Sequence, residues 1–183
     1  MARHSTEKFR DERIHGLVMQ EFRPSITDAS VLEEAVARTV VLLEATAPLE
    51  KINQQTARLD LADAFSSYRD GYEMAKFLES RGWWFVDADT VAALETSLGF
   101  LESALQRAVR DWVIRVSLRP AHKIGDVVRF AYRNRLWEGT IFEISYGDGK
   151  YHLASEAMAA EFKWSSKSVV PWEQLDQLNR SSI

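Results

Sequence analysis

Apolar positions recur at intervals of three and four along the first two thirds of this chain, and at intervals of two along the last third. The first period is that of a helix with one buried face, the second that of a strand whose side chains alternate faces. Phe9, Ile14, Leu17, Val18 and Phe22 predict a helix over Ser5–Phe22, weakened by Gly16 and ended by Pro24. Thr27 or Asp28 caps a second helix, whose stripe of Val31, Leu32, Ala35, Val36, Val40 and Leu43 is wide enough to be buried on more than one side. Pro48 breaks it, and the polar stretch Leu49–Arg58 is a short helix or a linking turn. With Asp60 as a cap, Leu61, Phe65, Tyr68, Tyr72, Ala75 and Leu78 predict one continuous helix to Arg81, carrying Gly71 inside it and stopped by Gly82. Asp87 caps the longest helix, to about Val113. Its seam of Val91, Leu94, Leu98, Leu101, Leu105, Ala108 and Trp112 steps by three and four in turn. Such a seam pairs either within the chain or with a second copy, a homodimer through the 91–112 helix. About three heptads is short for a free-standing coiled coil, which favours a bundle of four to five helices. The aromatic hinge Trp83-Trp84-Phe85-Val86 then joins two antiparallel helices.

From Ile124 to Ile144 the grammar changes. Val127, Arg129 and Ala131 fall on one side of an extended chain and Val128, Phe130 and Tyr132 on the other. Arg133, Asn134 and Arg135 interrupt the run as a turn, and Leu136–Tyr146 resumes it with β-branched and aromatic residues. Gly139 inside that second strand predicts a bulge or sharp bend, and Gly147-Asp148-Gly149 closes a second hairpin. Tyr151–Leu153 starts a third strand, Glu161–Trp164 and Ser168–Val170 supply a fourth and a fifth, and Pro171 ends the ladder. Ala154–Ala160 favours helix over strand and predicts a helical turn or long loop after the third strand. Trp172–Leu178 predicts a last helical turn.

Five short strands in roughly fifty residues is the spacing of a small barrel. The pattern G-D-x-V-x-F over Gly125–Phe130, a short basic turn, then W-x-G-x-I over Trp137–Ile141 resembles the opening of an SH3-like barrel, the group that includes Tudor and KOW modules. The resemblance covers about Ala121–Trp172. It implies a module that binds peptides, modified side chains, RNA or another domain. The expected fold class is therefore α+β: a helical bundle over residues 1–118 followed by a five-stranded SH3-like barrel over residues 119–183.

Length and composition change this picture little. At 183 residues and 46% hydrophobic, the chain has the make-up of one large or two small globular domains. No apolar run approaches the ~20 residues that cross a bilayer, and the charged start MARHSTEKFRDER carries no signal core. The absence of cysteine excludes disulfides, thiolate nucleophiles and zinc–thiolate sites, and fits a cytoplasmic protein. Residues 1–118 hold 14 Lys and Arg against 19 Asp and Glu, and residues 119–183 hold 9 against 8. A near-neutral barrel argues against a strong phosphate-tracking surface.

The chemistry-bearing residues point to binding rather than catalysis. His4, His15, His122 and His152 form no metal-helix spacing, and no nucleophile elbow, Walker loop or dinucleotide fingerprint is present. The expectation is no enzyme, no metal and no cofactor. The carboxylate pairs Glu33-Glu34, Asp60/Asp63 and Asp87/Asp89 sit at predicted helix N-termini, where they favour the helix dipole. Trp83, Trp84 and Phe85 cannot all point inward, so at least one is expected on a contact surface, with the barrel of the same chain as the first surface to meet it. In the barrel, Tyr132, Arg133, Arg135, Trp137 and Tyr146 are the partner-binding candidates. The Tudor resemblance makes Tyr132 and Tyr146 the cage residues for a methylated cation. Arg133 and Arg135 beside Tyr132 and Trp137 also form the basic-plus-aromatic pattern of a single-strand binder. The expected role is a protein–protein adaptor or regulator whose barrel docks on a partner protein, with a nucleic-acid-binding regulator as the alternative.

Overall fold

The structure, a computed structural model, describes residues 22–46, 53–162 and 167–180. The helix predicted over Ser5–Phe22 lies, except for Phe22, outside the described residues. Among the described residues four helices come first: α1 (Ala29–Thr46), α2 (Gln54–Ser67), α3 (Gly71–Ser80) and α4 (Ala88–Arg115). They are followed by β1 (Val127–Tyr132), β2 (Arg135–Ser145), β3 (Lys150–Ala154), α5 (Glu156–Phe162), β4 (Lys167–Pro171) and α6 (Trp172–Arg180). The class is α+β, with the first four helices packed together and a four-stranded antiparallel sheet, curled into a half-barrel, after them.

The caps explain where the helices stop. Asp87 accepts the N–H of Thr90 at 2.8 Å and starts α4 as its sequence position predicts. Gly82, at φ 81°, ends α3 in the left-handed region. At the far end of α4 the same geometry is made without glycine. Ser117 adopts φ 52°, its N–H reaches Ile114 O and the Leu118 N–H reaches Val113 O, both at 3.1 Å.

The helix predicted from Asp60 to Arg81 is two helices. Tyr68 takes an extended backbone, and Asp70 caps α3 by accepting the N–H groups of Tyr72 and Glu73 at 2.9 and 3.0 Å. Asp60, expected as a cap, is instead a buried carboxylate inside α2. The break turns α3 onto α4, and Gly71 is the point of closest approach: its N–H donates to Glu95 Oε2 at 2.6 Å.

The sheet is a meander in the order β1-β2-β3-β4. Val127 pairs with Thr140 and Tyr132 with Arg135, so two residues, Arg133 at φ 49° and Asn134 at φ 60°, make the first turn. Both left-handed angles together are those of the hairpin turn whose twist suits the strands. The register slips between Ile141 and Glu143, leaving Phe142 as the extra residue of a bulge. Gly139, where the bulge was expected, stays in register opposite Val128. It serves a close approach, since a Cβ there would lie 2.9 Å from the Phe130 ring and 3.0 Å from Ala154 O. The expected strand at Glu161–Trp164 is absent from its described part: Glu161 and Phe162 end α5, where the run of helix formers anchored by buried Met158 carries the helix past the predicted boundary. Residues 163–166 lie outside the described residues. Among the described residues four strands are found where five were expected.

Two cores result. Val31, Leu43, Phe65, Leu78, Leu94 and their neighbours fill the space between α1, α2, α3 and α4, so the heptad-like seam of α4 is covered within the chain by α1 and α3. The second core lies on the concave face of the sheet, where Phe130, Ile141, Tyr151 and Leu153 meet Met158 of α5 and Trp172 and Leu175 of α6. Val109, Trp112 and Val113, the last turns of α4, complete it, and Leu105 packs against both cores. α6 contacts both β1 and β4, the two outer strands of the sheet. Arg23, ahead of α1, lies over Trp112, donates to Glu173 of α6 at 3.0 Å and to the carbonyls of Asp148 and Gly149 in the second hairpin. Burial would raise the Asp148 carboxyl, but hydrogen bonds from Lys150 and Ser145 and the charges of Lys150 and Arg23 hold it below its ordinary value.

Candidate interaction site at the rim of the half-barrel

The eight residues singled out in the sequence fall into three places. Trp83, Trp84 and Phe85 lie at the start of α4, where Trp84 is buried, Trp83 is 51% exposed and Phe85 80% exposed. At 1.5 Å per residue, the 21 helical steps from Ala88 to Val109, which joins the sheet core, hold this turn roughly 30 Å from it. The aromatic hinge therefore does not meet the barrel of its own chain. It is pinned by Asp60, whose Oδ2 accepts the indole N–H groups of both Trp83 and Trp84 at 2.9 Å, with Arg81 Nε 3.6 Å from the other oxygen. A carboxylate buried inside a helix fits here because two indole N–H donors and the nearby guanidinium charge converge on it. Asp60→Asn removes the charge and is expected to lower stability by about 1–2 kcal/mol and red-shift the tryptophan emission, read by chemical denaturation and fluorescence.

Tyr146 stands alone at the second hairpin, 64% exposed, its ring edge-on to Trp172 at 5.7 Å. Tyr132 ends β1 opposite Arg135, the first residue of β2, so the eleven residues of β2 separate the two tyrosines. One cage cannot use both.

The remaining four come together. β1 and β2 place Phe130 opposite Trp137 and Tyr132 opposite Arg135, and these four positions share the face of the sheet that carries the core. The core row therefore runs out at the first hairpin into a rim. Trp137 is buried there, its Nε1 donating to Tyr132 O at 3.1 Å. α5 brings Phe162 against both rings, 5.9 Å from Tyr132 and 5.7 Å from Trp137. Two guanidiniums lie on these rings. Arg133 is 5.5 Å from the Tyr132 centroid and 5.1 Å from that of Phe162, and Arg135 is 5.2 Å from Trp137. Glu161 closes the group, its Oε1 2.7 Å from Arg135 Nη1.

Each of the three rings thus carries one of the chain's own cations, where a methylated ligand cation or a nucleobase would need an open face. What the rim offers instead is guanidinium N–H, a donor set suited to carboxylate and phosphate oxygens. The sequence does not mark Phe162 and Glu161 as rim residues, because it places a strand at Glu161–Trp164 where α5 ends. The only signal was the helix-forming run before them. Among the described residues no three His, Asp or Glu side chains are grouped to hold a metal ion, and no helix is long and apolar enough to cross a membrane.

Fold and site together define a helical bundle bearing a curled antiparallel sheet with a cation-covered aromatic rim. Comparison with known proteins finds no matching family model, no matching curated protein and no matching solved structure.

Proposed function

We propose that this protein is a non-enzymatic adaptor, and that its half-barrel is an SH3-like module docking on a partner protein through the rim formed by Tyr132, Arg133, Arg135 and Trp137. The observation that carries this reading is the convergence of those four residues with Phe162 at one end of the sheet. An aromatic cluster edged with arginine is the composition of an interface hot spot, and its seat on paired strands and a packed helix limits the ordering cost of binding. The meander order and the bulge at Phe142 support the SH3-like reading, as does α6 between the outer strands. Exposed Trp83 and Phe85, at the far end of α4, supply a second contact surface, as an adaptor needs.

The nucleic-acid reading keeps one point in its favour, three arginines (Arg129, Arg133 and Arg135) within seven residues. Against it, Arg129 faces Glu138 across the ladder, Arg135 already holds Glu161, and the stacking faces are covered.

A pull-down from native lysate, with and without nuclease, separates the two. The expected result is a nuclease-resistant protein partner captured by the wild-type chain and lost, by tenfold or more, with Arg133→Ala/Arg135→Ala. Salt-sensitive binding of mixed DNA or RNA in a mobility-shift series, abolished by the same pair of substitutions, would replace the adaptor reading with the nucleic-acid one.

A further inference from the structure

Resting on that docking reading, we propose that the partner segment taken by the rim is acidic, and that Glu161 is its built-in competitor. Two observations carry this. The first is the way the rim's cations are already used. Arg133 and Arg135 lie with their guanidinium carbons 5.1–5.5 Å from three ring centroids. A guanidinium stacked in this way presents its flat face to the ring, while its N–H donors lie in its plane, where a carboxylate meets them, as Glu161 does on Arg135. The second is that a carboxylate is already there. Glu161 Oε1 sits 2.7 Å from Arg135 Nη1, between side chains that are 64% and 42% exposed. An ion pair so exposed is worth little against water, so exchanging one carboxylate for another on Arg135 is close to neutral. The apolar and aromatic contacts that the incoming segment makes with the rim then decide the outcome.

The geometry also sets the size of the ligand. Tyr132 and Arg135 are directly opposite each other, with Arg133 in the turn between them, so both guanidiniums lie within one hairpin turn. Arg129 belongs to the opposite face of the strand, beside Glu138. Two positive charges within one turn call for a segment whose carboxylates lie close together. A long polyanion would approach a chain of net charge −4. The Glu161 pairing acts as a mild latch: closed in the free protein, opened when an acidic segment supplies its own carboxylate.

The test uses the full chain and three fluorescein-labelled decapeptides that share their aromatic and apolar residues and differ only in two central positions, both Glu, both Gln or both Lys. Binding is read by fluorescence anisotropy at low and physiological salt, with amide chemical shifts of Tyr132, Arg135 and Phe162 locating the site. The expected order of affinity is Glu over Gln over Lys. Arg135→Ala is expected to weaken the Glu peptide about tenfold. Glu161→Gln, which empties the latch without touching the fold, is expected to tighten it about threefold. Equal binding of the Glu and Gln peptides at the rim, or no gain from Glu161→Gln, overturns the acidic assignment while leaving the docking reading in place. Failure of all three peptides to bind, with amide shifts unchanged, overturns both. A 20-nucleotide single strand that binds and moves the same amides when the Glu peptide does not also overturns the proposal.

Discussion

Trp172→Ala is expected to destabilise the protein by about 3–5 kcal/mol, the range for deleting a large ring from a packed core. Trp172 opens α6, is 1% exposed and touches Tyr146 and Tyr151 at ring centroid distances of 5.7 and 5.9 Å. It also anchors the end of the chain, because its backbone N–H donates to Gly149 O at 3.0 Å. Removing the ring leaves a cavity between α6 and the concave sheet face, and neither wall can close on it without breaking the contacts of α6 with β1 and β4. Trp172→Phe provides the control. The indole N–H has no hydrogen-bond partner among the described residues, so replacing it with phenylalanine forfeits volume but no polar contact. The expected loss is roughly half that of the alanine variant. Urea denaturation followed by tryptophan fluorescence checks the order. Equal losses for the two variants would mean that the indole N–H is paired and that the cavity account is incomplete.

Gly71→Ala is expected to destabilise by about 2–3 kcal/mol, opposite in sign to what helix propensity predicts. A Cβ at Gly71 would lie 2.5 Å from the backbone nitrogen of Glu95 and 2.8 Å from its Cα. Neither atom can rotate away, so α3 and α4 must separate, and with them the hydrogen bond from Gly71 N–H to Glu95. Gly99, exposed in the middle of α4 with nothing within 4 Å of its missing Cβ, sets the baseline. Gly99→Ala is expected to stabilise by about 0.5–1 kcal/mol. The two substitutions are chemically identical, so opposite shifts in the unfolding midpoint isolate the close approach of the helices. A stabilising Gly71→Ala would place α3 farther from α4 than described.

The candidate site was half legible before the fold was known. Tyr132, Arg133, Arg135 and Trp137 lie within six residues around an obvious hairpin turn, and any hairpin puts them near one another. Phe162 and Glu161 come from α5, and only the packing of that helix against β2 delivers them. Tyr146 looked equivalent to Tyr132 as an aromatic at a strand end, but strand length separates the two. That Trp83, Trp84 and Phe85 cannot all turn inward follows from their being consecutive; packing selects Trp84 for burial and leaves Trp83 and Phe85 exposed. Their distance from the barrel follows from the length of α4, which the sequence had also indicated.

What the sequence settles by itself is whatever depends on near neighbours along the chain. The 3-4 seam and the Asp87 cap determine α4, Gly82 determines the end of α3, and the alternation around Arg133-Asn134 determines the first hairpin, because each rests on backbone preferences and side chains a few residues apart. Tertiary structure decided what depends on partners distant in sequence. The helix expected through Tyr68 and Gly71 breaks because α3 gains more by docking on Glu95 than it loses at the junction, with Asp70 ready to cap the new end. α4 serves two cores because the sheet, folded after it, needs Val109, Trp112 and Val113 to cover its concave face. Asp60 turns from a surface cap into a buried acceptor only once the Trp83–Trp84 turn brings its indole donors to it.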